Sequence, residues 1–324
     1  MKRKILSASL CLIAAIVWGS AFYAQELASY HSSEIDAFFF GGIRFLLGGV
    51  ALIPLCFIFE KEKEIPRELK AKKHKNTLIY GIITGAVLCC ASALQQFGIQ
   101  ATQQSGKAGF ITGLYLVLVP IASFLLFRQR VSPLVWIAVV FSFSGLYFLC
   151  LNGGAFSLQV GDILVFCGAI FFTAHIIVID RFIGRVSTLR YCVVQFITVG
   201  ILNLIIGACA GCNITWDGFV AVLGPIAYCG FMSTGVAYTC QIIGQKFTPP
   251  AVASLLFATE GLFSVVFESL LERALPSATM LLGCALMLVG IVLSQLPCDI
   301  VQVLFKKKAR VSDTTDTSNQ NDID

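Results

Sequence analysis

The segment SGKAGFITGLYLVLVP, running from Ser105 to Pro120, decides how the whole chain reads. Ser, Gly and Lys suit a helix start, and an apolar run follows. One face carries the small residues Ala108, Gly109, Thr112 and Gly113. Gly109 and Gly113 form a GxxxG pair. In lipid such a pair lets two helix backbones approach, because apolar surface alone gives helices little reason to associate there. Thr112 and Tyr115 place hydroxyls on an otherwise greasy surface, and Pro120 removes a backbone hydrogen bond inside the helix and bends it. The expectation is a membrane helix packed tightly against others, with part of one side kept polar. A span facing only lipid asks for none of these features.

Composition widens this to the whole chain. Of 324 residues, 57% are hydrophobic and 13% charged, whereas a soluble domain averages about 25% charged. The chain therefore reads as a polytopic membrane protein. Its 13 cysteines lie mostly inside apolar runs, where Cys behaves as a small hydrophobe. Cys209 and Cys212 form one CxxC with no second pair to make a metal site.

A span of about 20 apolar residues crosses the hydrocarbon core. Ten such runs are expected, roughly at 5–24, 36–59, 78–100, 106–127, 132–151, 161–180, 191–210, 218–244, 250–270 and 277–297. The links are short except for the charged segment Glu60 to Asn76, read as a solvated, partly helical cytoplasmic loop. With the N-terminus inside, 20 of the 23 Lys and Arg residues fall on the cytoplasmic side, as the positive-inside rule requires. Lys107 and Arg273 fall outside, and Arg44 within a span. Both termini are thus expected in the cytoplasm of a cell with this protein in its plasma membrane.

The halves resemble each other. Ala15-Ile16-Val17-Trp18 parallels Ala169-Ile170-Phe171-Phe172, Arg44 falls opposite Gln195, Ser105-Gly106 parallels Thr248-Pro249, and Gln129-Arg130 parallels Glu272-Arg273. Five spans is an odd number, so the second copy is inverted. The expected fold class is an all-α integral membrane protein, ten transmembrane helices arranged as two inverted five-helix repeats. The repeats cover 1–152 and 160–297, and residues 298–324 read as a disordered cytoplasmic tail. Inverted repeats place a transporter's substrate site near the midplane, between the halves.

Polar groups at membrane depth are costly and mark function. Glu260 lies about ten residues into the ninth span, roughly 15 Å along a helix. It is the leading candidate, either as a proton carrier or substrate ligand or as a structural carboxyl. Arg44 snorkels to the outer side or pairs with an acid such as Glu268. Gln96 and Gln100 share a face of the third span, with Tyr238 and Gln241 in the comparable part of the eighth. Gly224-Pro225 is expected to bend that eighth span. His175 relays protons or makes a neutral interhelical bond. Trp18 is a platform for an apolar substrate group or plain packing. With Ser20, Thr112 and Tyr115 these make up the candidate substrate site, while Arg44, Gly109, Gly113 and Pro120 are structural or gating candidates.

GxxxxGK[ST], HExxH and nucleophile-elbow patterns are absent. Nothing therefore points to an enzyme, a metal, a cofactor or a nucleic-acid partner; the expected partners are a small molecule, lipid and, as coupling ion, protons.

Several of these motifs coincide with a known family. The run from Ser105 to Pro120, Trp18-Gly19-Ser20, Arg44 and Glu272-Arg273 resemble the drug/metabolite transporter superfamily in its EamA branch. The resemblance implies a central cavity lined by helices 1, 3, 4, 6, 8 and 9, and movement of small metabolites, often export of amino acids or related compounds. Two departures stand out: Gln129 replaces an acid common in the family, and Glu260-Gly261 keeps the acid of a Glu-Pro pair but not the proline. The sequence thus reads as a secondary transporter working by alternating access. A membrane-embedded sensor or channel is the alternative.

The orientation is checked by cysteine accessibility in a Cys-depleted background. Phe156→Cys should label from outside intact cells, and Lys70→Cys only after permeabilisation. The reverse pattern would overturn the charge-based orientation.

Overall fold

The computed structural model describes residues 2–60, 66–129, 131–150, 159–273, 275 and 277–296. The connection at 151–158, the run 61–65, Arg130 and the tail from 297 lie outside them, as do the side chains of Glu268 and Glu272. The expectations about those segments and groups therefore stay expectations.

Ten helices account for nearly all the described chain: α1 (Arg3–Ser29), α2 (Ala37–Phe59), α3 (Arg67–Thr102), α4 (Ser105–Phe127), α5 (Pro133–Cys150), α6 (Val160–Arg185), α7 (Thr188–Cys209), α8 (Leu223–Gln245), α9 (Pro250–Leu271) and α10 (Ala278–Gln295). Nine are long and apolar enough to span a bilayer; α5, with an apolar stretch of Pro133–Phe148, is shorter. Among the described residues the one extended pairing is an isolated bridge between Ile35 and Ile214. The charged segment expected as a loop becomes helical at Arg67. Its lysines 72, 73 and 75 are exposed on the first turns of α3, a helix of 36 residues that at 1.5 Å per residue outruns the roughly 30 Å hydrocarbon core.

Backbone groups at helix ends need partners where water is scarce. α3, α4 and α9 stop on left-handed residues, Gln103, Arg128 and Arg273, whose N–H groups turn back to Ile99, Phe124 and Ser269. Asp36 caps α2 by accepting from the Phe38 N–H at 2.8 Å.

Two helices are broken near mid-depth. α4 runs as Ser105–Gly113 and Tyr115–Phe127 with Leu114 between, and α9 as Pro250–Phe257 and Glu260–Glu272 with Ala258 and Thr259 between. The interruption in α4 therefore precedes Pro120, which the sequence reading held responsible for a bend. α8 departs differently: from Cys229 to Tyr238 it winds as a π-helix, a form that tends to occur at functional sites. Pro225, expected to bend this span, sits in its first turn, where a missing N–H costs nothing.

Glycines set how closely the helices cross, but not at the two positions singled out from sequence. A methyl group built on Gly109 would meet Ser264 and Phe22 side chains at 3.6 and 3.7 Å, and on Gly113 the Leu146 side chain at 3.1 Å. These are side-chain contacts and not the backbone approach expected of that GxxxG pair. Backbone meets backbone at Gly98 and Gly161 (α3 on α6), where a methyl on either would lie 2.7 or 2.8 Å from the other's carbonyl oxygen. It does so again at Gly244, facing the Ser7 carbonyl at 2.9 Å (α8 on α1), and at Gly145, facing the Gly283 carbonyl at 2.6 Å (α5 on α10).

These contacts recur at similar spacings, each helix pair with its own. Gly98 and Gly244 are 146 residues apart, Ser7 and Gly161 154, and the end residues Arg128 and Arg273 145. The packed pairs follow the same rule. α3 lies on α6 and α7 as α8 lies on α1 and α2, α4 meets α6 as α9 meets α1, and α2–α7, α4–α9 and α5–α10 map onto themselves.

Crossing distance gives a direct test. Gly98→Ala pushes on backbone and should cost about 1–3 kcal/mol, as overpacking does. Gly109→Ala has ordinary van der Waals room and should stay within about 0.5 kcal/mol or stabilise slightly. Melting curves in detergent would show this as a clear drop for the first and none for the second; equal melting temperatures would contradict the packing described.

Candidate functional site

Where α4 and α9 break, their ends face each other. The Tyr115 hydroxyl donates to Glu260 Oε1 at 2.8 Å. Each residue is the first of the second half of its helix. Tyr115 is 3% exposed and Glu260 4%, so the bond is made away from bulk solvent. The break matters locally, because it places the Glu260 carboxyl at the start of a helical segment, the end where the helix dipole favours negative charge.

The bond closes one wall of a cavity with about 460 Å³ of unfilled space, counting its mouth. Trp18, Phe22 and Gln25 enter from α1, Arg44 from α2, Gln95 from α3, Thr112 and Tyr115 from α4, Phe172 and Ile176 from α6, Ser233, Tyr238 and Gln241 from α8, and Phe257 and Glu260 from α9. The resemblance implied six lining helices; Arg44 adds α2 to them. Ten of these residues form spaced pairs. Trp18 and Phe172, and Phe22 and Ile176, are 154 apart; Gln95 and Gln241 are 146 apart; Thr112 and Phe257, and Tyr115 and Glu260, are 145 apart.

The apolar side is aromatic. Trp18 stands edge-on to Tyr238 at 4.9 Å and to Phe257 at 5.6 Å between ring centroids. The polar side is organised by Gln25, whose Oε1 accepts from the Arg44 guanidinium at 3.0 Å, whose Nε2 donates to the Ala21 carbonyl, and whose own carbonyl accepts from Gln96 at 3.4 Å. The guanidinium also lies against the Phe40 and Phe45 rings, 5.4 and 5.1 Å from their centres. Arg44 is thus 3% exposed, held by an amide and two π-faces; the snorkelling geometry does not occur, and the alternative partner Glu268 has no described side chain. Gln95 Nε2 donates to Thr112 Oγ1 at 3.0 Å.

Three buried polar atoms in this wall have no partner in the protein: the Trp18 indole Nε1, Arg44 Nε and Gln241 Oε1. Buried polar groups are nearly always hydrogen-bonded, so two donors and an acceptor in one cavity wall suit a polar ligand or ordered water.

Among the candidates from sequence, Trp18, Thr112, Tyr115, Tyr238, Gln241 and Glu260 line the cavity together, and Arg44, a structural or gating candidate, lines it too. Ser20, Gln96, Gln100 and His175 do not. The Ser20 hydroxyl meets Tyr228 at 2.5 Å, and Gln96 turns to Gln25. Gln100 is only half-buried. His175 is fully buried behind the wall, paired with Gln195 at 3.3 Å and edge-on to Tyr238. Sequence reasoning missed Gln25, Gln95 and Ser233. Gln95 lies 146 residues before Gln241, which is itself a candidate, at the spacing that also separates Gly98 from Gly244. Cys209 and Cys212 are free thiols, and among the described residues no group of His, Cys, Asp and Glu is placed to hold a metal.

Comparison with known proteins accords with this architecture. A solved crystal structure at 17% identity overlays with a TM-score of 0.66, covering 87% of this chain and 98% of its own. An uncharacterized transporter of Archaeoglobus fulgidus is 24% identical over 296 residues, covering 91% of this chain and 87% of its own. The uncharacterized transporter YwfM of Bacillus subtilis is 24% identical over 282 residues, 86% of this chain and 90% of its own. The model of the EamA-like transporter family matches twice, over residues 5–151 and 159–296. This multi-pass membrane protein, with its cavity between paired helices, belongs to the EamA-like transporter family.

Proposed function

We propose that this transporter is a secondary carrier that exports a small amino acid or related zwitterion across the plasma membrane, with both termini cytoplasmic. It would work by alternating access between two inverted five-helix repeats, residues 1–152 and 160–297. The observation that carries the reading is the Tyr115–Glu260 bond, which joins the breaks of α4 and α9 inside the cavity. A carrier must rearrange its halves around a fixed site, and transporter sites are commonly built from broken helices at the repeat interface. The similar spacings of the glycine crossings and of the cavity-lining pairs support the repeat.

The chemistry of the wall supports the substrate class. Glu260 offers a carboxylate for an ammonium group or a proton, Arg44 a guanidinium for a carboxylate, and the Trp18–Tyr238–Phe257 surface an apolar face for a side chain. Buried charges at this depth are kept for function because each is costly unless paired. In the cycle, substrate or proton arrives at Glu260 and competes with the Tyr115 hydroxyl. Loss of that bond uncouples the inner ends of the two broken helices and frees the halves to move. Export as the direction follows the family likeness read from the sequence.

A screen of amino acids for a rise in melting temperature selects the ligand, since ligands of the folded state stabilise it. With that ligand, Glu260→Gln should keep the melting temperature close to wild type, because the amide has the same shape and still accepts from Tyr115. Initial transport should fall about tenfold or more, and its dependence on pH between about 5.5 and 8.5 should flatten. Tyr115→Phe should lower transport less. Unchanged transport with an unchanged pH profile in Glu260→Gln would remove the carboxyl from the site.

A further inference from the structure

The recurrences in the fold are close enough that the two ends of the molecule can be compared position by position, and they are not alike. At the end where α4 and α6 begin, the Lys107 ammonium sits 2.6 Å from Asp162 Oδ2, with the two side chains 14% and 3% exposed. Asp162 is fixed in place because the same oxygen accepts from the Gln159 N–H at 2.7 Å in a capping box. Beside it, Glu26 of α1 accepts from the Ser105 N–H at 3.0 Å, tying α1 to the first residue of α4. The carboxylates Glu26 and Asp162 thus tie the first half of a broken helix to α1 and α6.

The same spacings identify the counterparts at the opposite end. In the register of the structure, two residues on from the sequence pairing of Ser105 with Thr248, Lys107 corresponds to Val252 and Ser105 to Pro250, each 145 residues on; Asp162 corresponds to Ala8, 154 residues back. Val252 and Ala8 carry no charge, and Pro250 has no N–H to donate. Glu26 corresponds to Asp180, which bonds instead to the Gln129 side chain of the α4–α5 link. What joins α1 to the start of α9 there is a hydroxyl pair, Ser7 with Thr248 at 2.8 Å.

We infer that the Lys107–Asp162 ion pair, with Glu26 on the Ser105 N–H, forms a latch that holds the cavity shut toward the α4 face, the external one in the proposed orientation. At the opposite face the described counterpart positions of Lys107 and Asp162 are neutral, and the Arg190–Glu60 ion pair there joins α7 to α2 and not to α9, so the start of α9 releases more readily. This rests on the alternating-access reading above. A buried ion pair adds little net stability over apolar packing, yet removing one partner leaves a stranded charge. It therefore suits a contact that must be either fully made or fully broken, as between two states of a gate. The short segment Ser105–Gly113, separated from the rest of α4 at Leu114, can swing with the pair while the cavity floor at Tyr115 stays in place.

The test uses the full chain with Thr112→Cys as a reporter in the cavity wall. Proteoliposomes are treated with a membrane-impermeant maleimide from either face, and labelling at that position is read by mass spectrometry so the native cysteines stay. In the parent, labelling from both faces is expected, slower from the external one. Lys107→Met keeps the side-chain length, and Asp162→Asn keeps a cap acceptor; each should raise external labelling about tenfold or more. Lys107→Arg should remain near the parent. A parent labelled from both faces, with external rates unchanged in folded Lys107→Met and Asp162→Asn, would overturn the latch alone, as would Lys107→Arg behaving like Lys107→Met. A parent labelled from one face only, and so in every variant, would overturn the latch and the alternating-access reading together.

Discussion

Inside a bilayer a polar group finds partners in its own protein or nowhere, and that constraint accounts for most of what this chain does. Backbone groups are absorbed by helices, as they must be in any such span. Where α4 and α9 interrupt themselves, the regular ladder gives way to tighter turns such as Leu114 N–H to Ile111 and Thr259 N–H to Leu256, and a carboxyl and a phenol placed at the restarts bond to each other. The cavity lies where two helices stop and restart, and the restarting residues Tyr115 and Glu260 join Gln25, Arg44, Gln95 and Gln241 in its polar lining.

Close packing around that cavity comes from glycine at crossings where nothing larger fits. With Gly98 on Gly161 and Gly244 against Ser7, helices approach until backbone touches backbone, the contact on which association in lipid depends when apolar surface confers no advantage. These crossings lie toward the membrane faces, while the cavity lies between them.

Much of this could be read from residues alone, for physical reasons. Hydrocarbon thickness fixes the span length, so helix number and placement followed from apolar runs, and Glu260 stood out because an acid at that depth has no inexpensive explanation. Other features depend on which way a side chain turns, which periodicity states only loosely. Gln96 and Gln95 are adjacent, yet only Gln95 faces the cavity; Gly109 fits a packing motif, yet meets side chains. Pro120 reads as a helix breaker, yet the break falls at Leu114, next to the Tyr115 bond to α9. Arg44 held by Gln25 and two phenylalanine rings was not legible, since no spacing rule links a mid-span arginine to an amide 19 residues earlier on another helix.

The central claim is that the cavity is the moving site of a carrier and not the lining of a pore. Counterflow in proteoliposomes preloaded with unlabelled ligand separates the two. A carrier exchanges, so labelled ligand added outside should accumulate transiently above its external concentration before decaying. Equilibration that only ever approaches the external concentration, with no overshoot at any preload, would contradict the account.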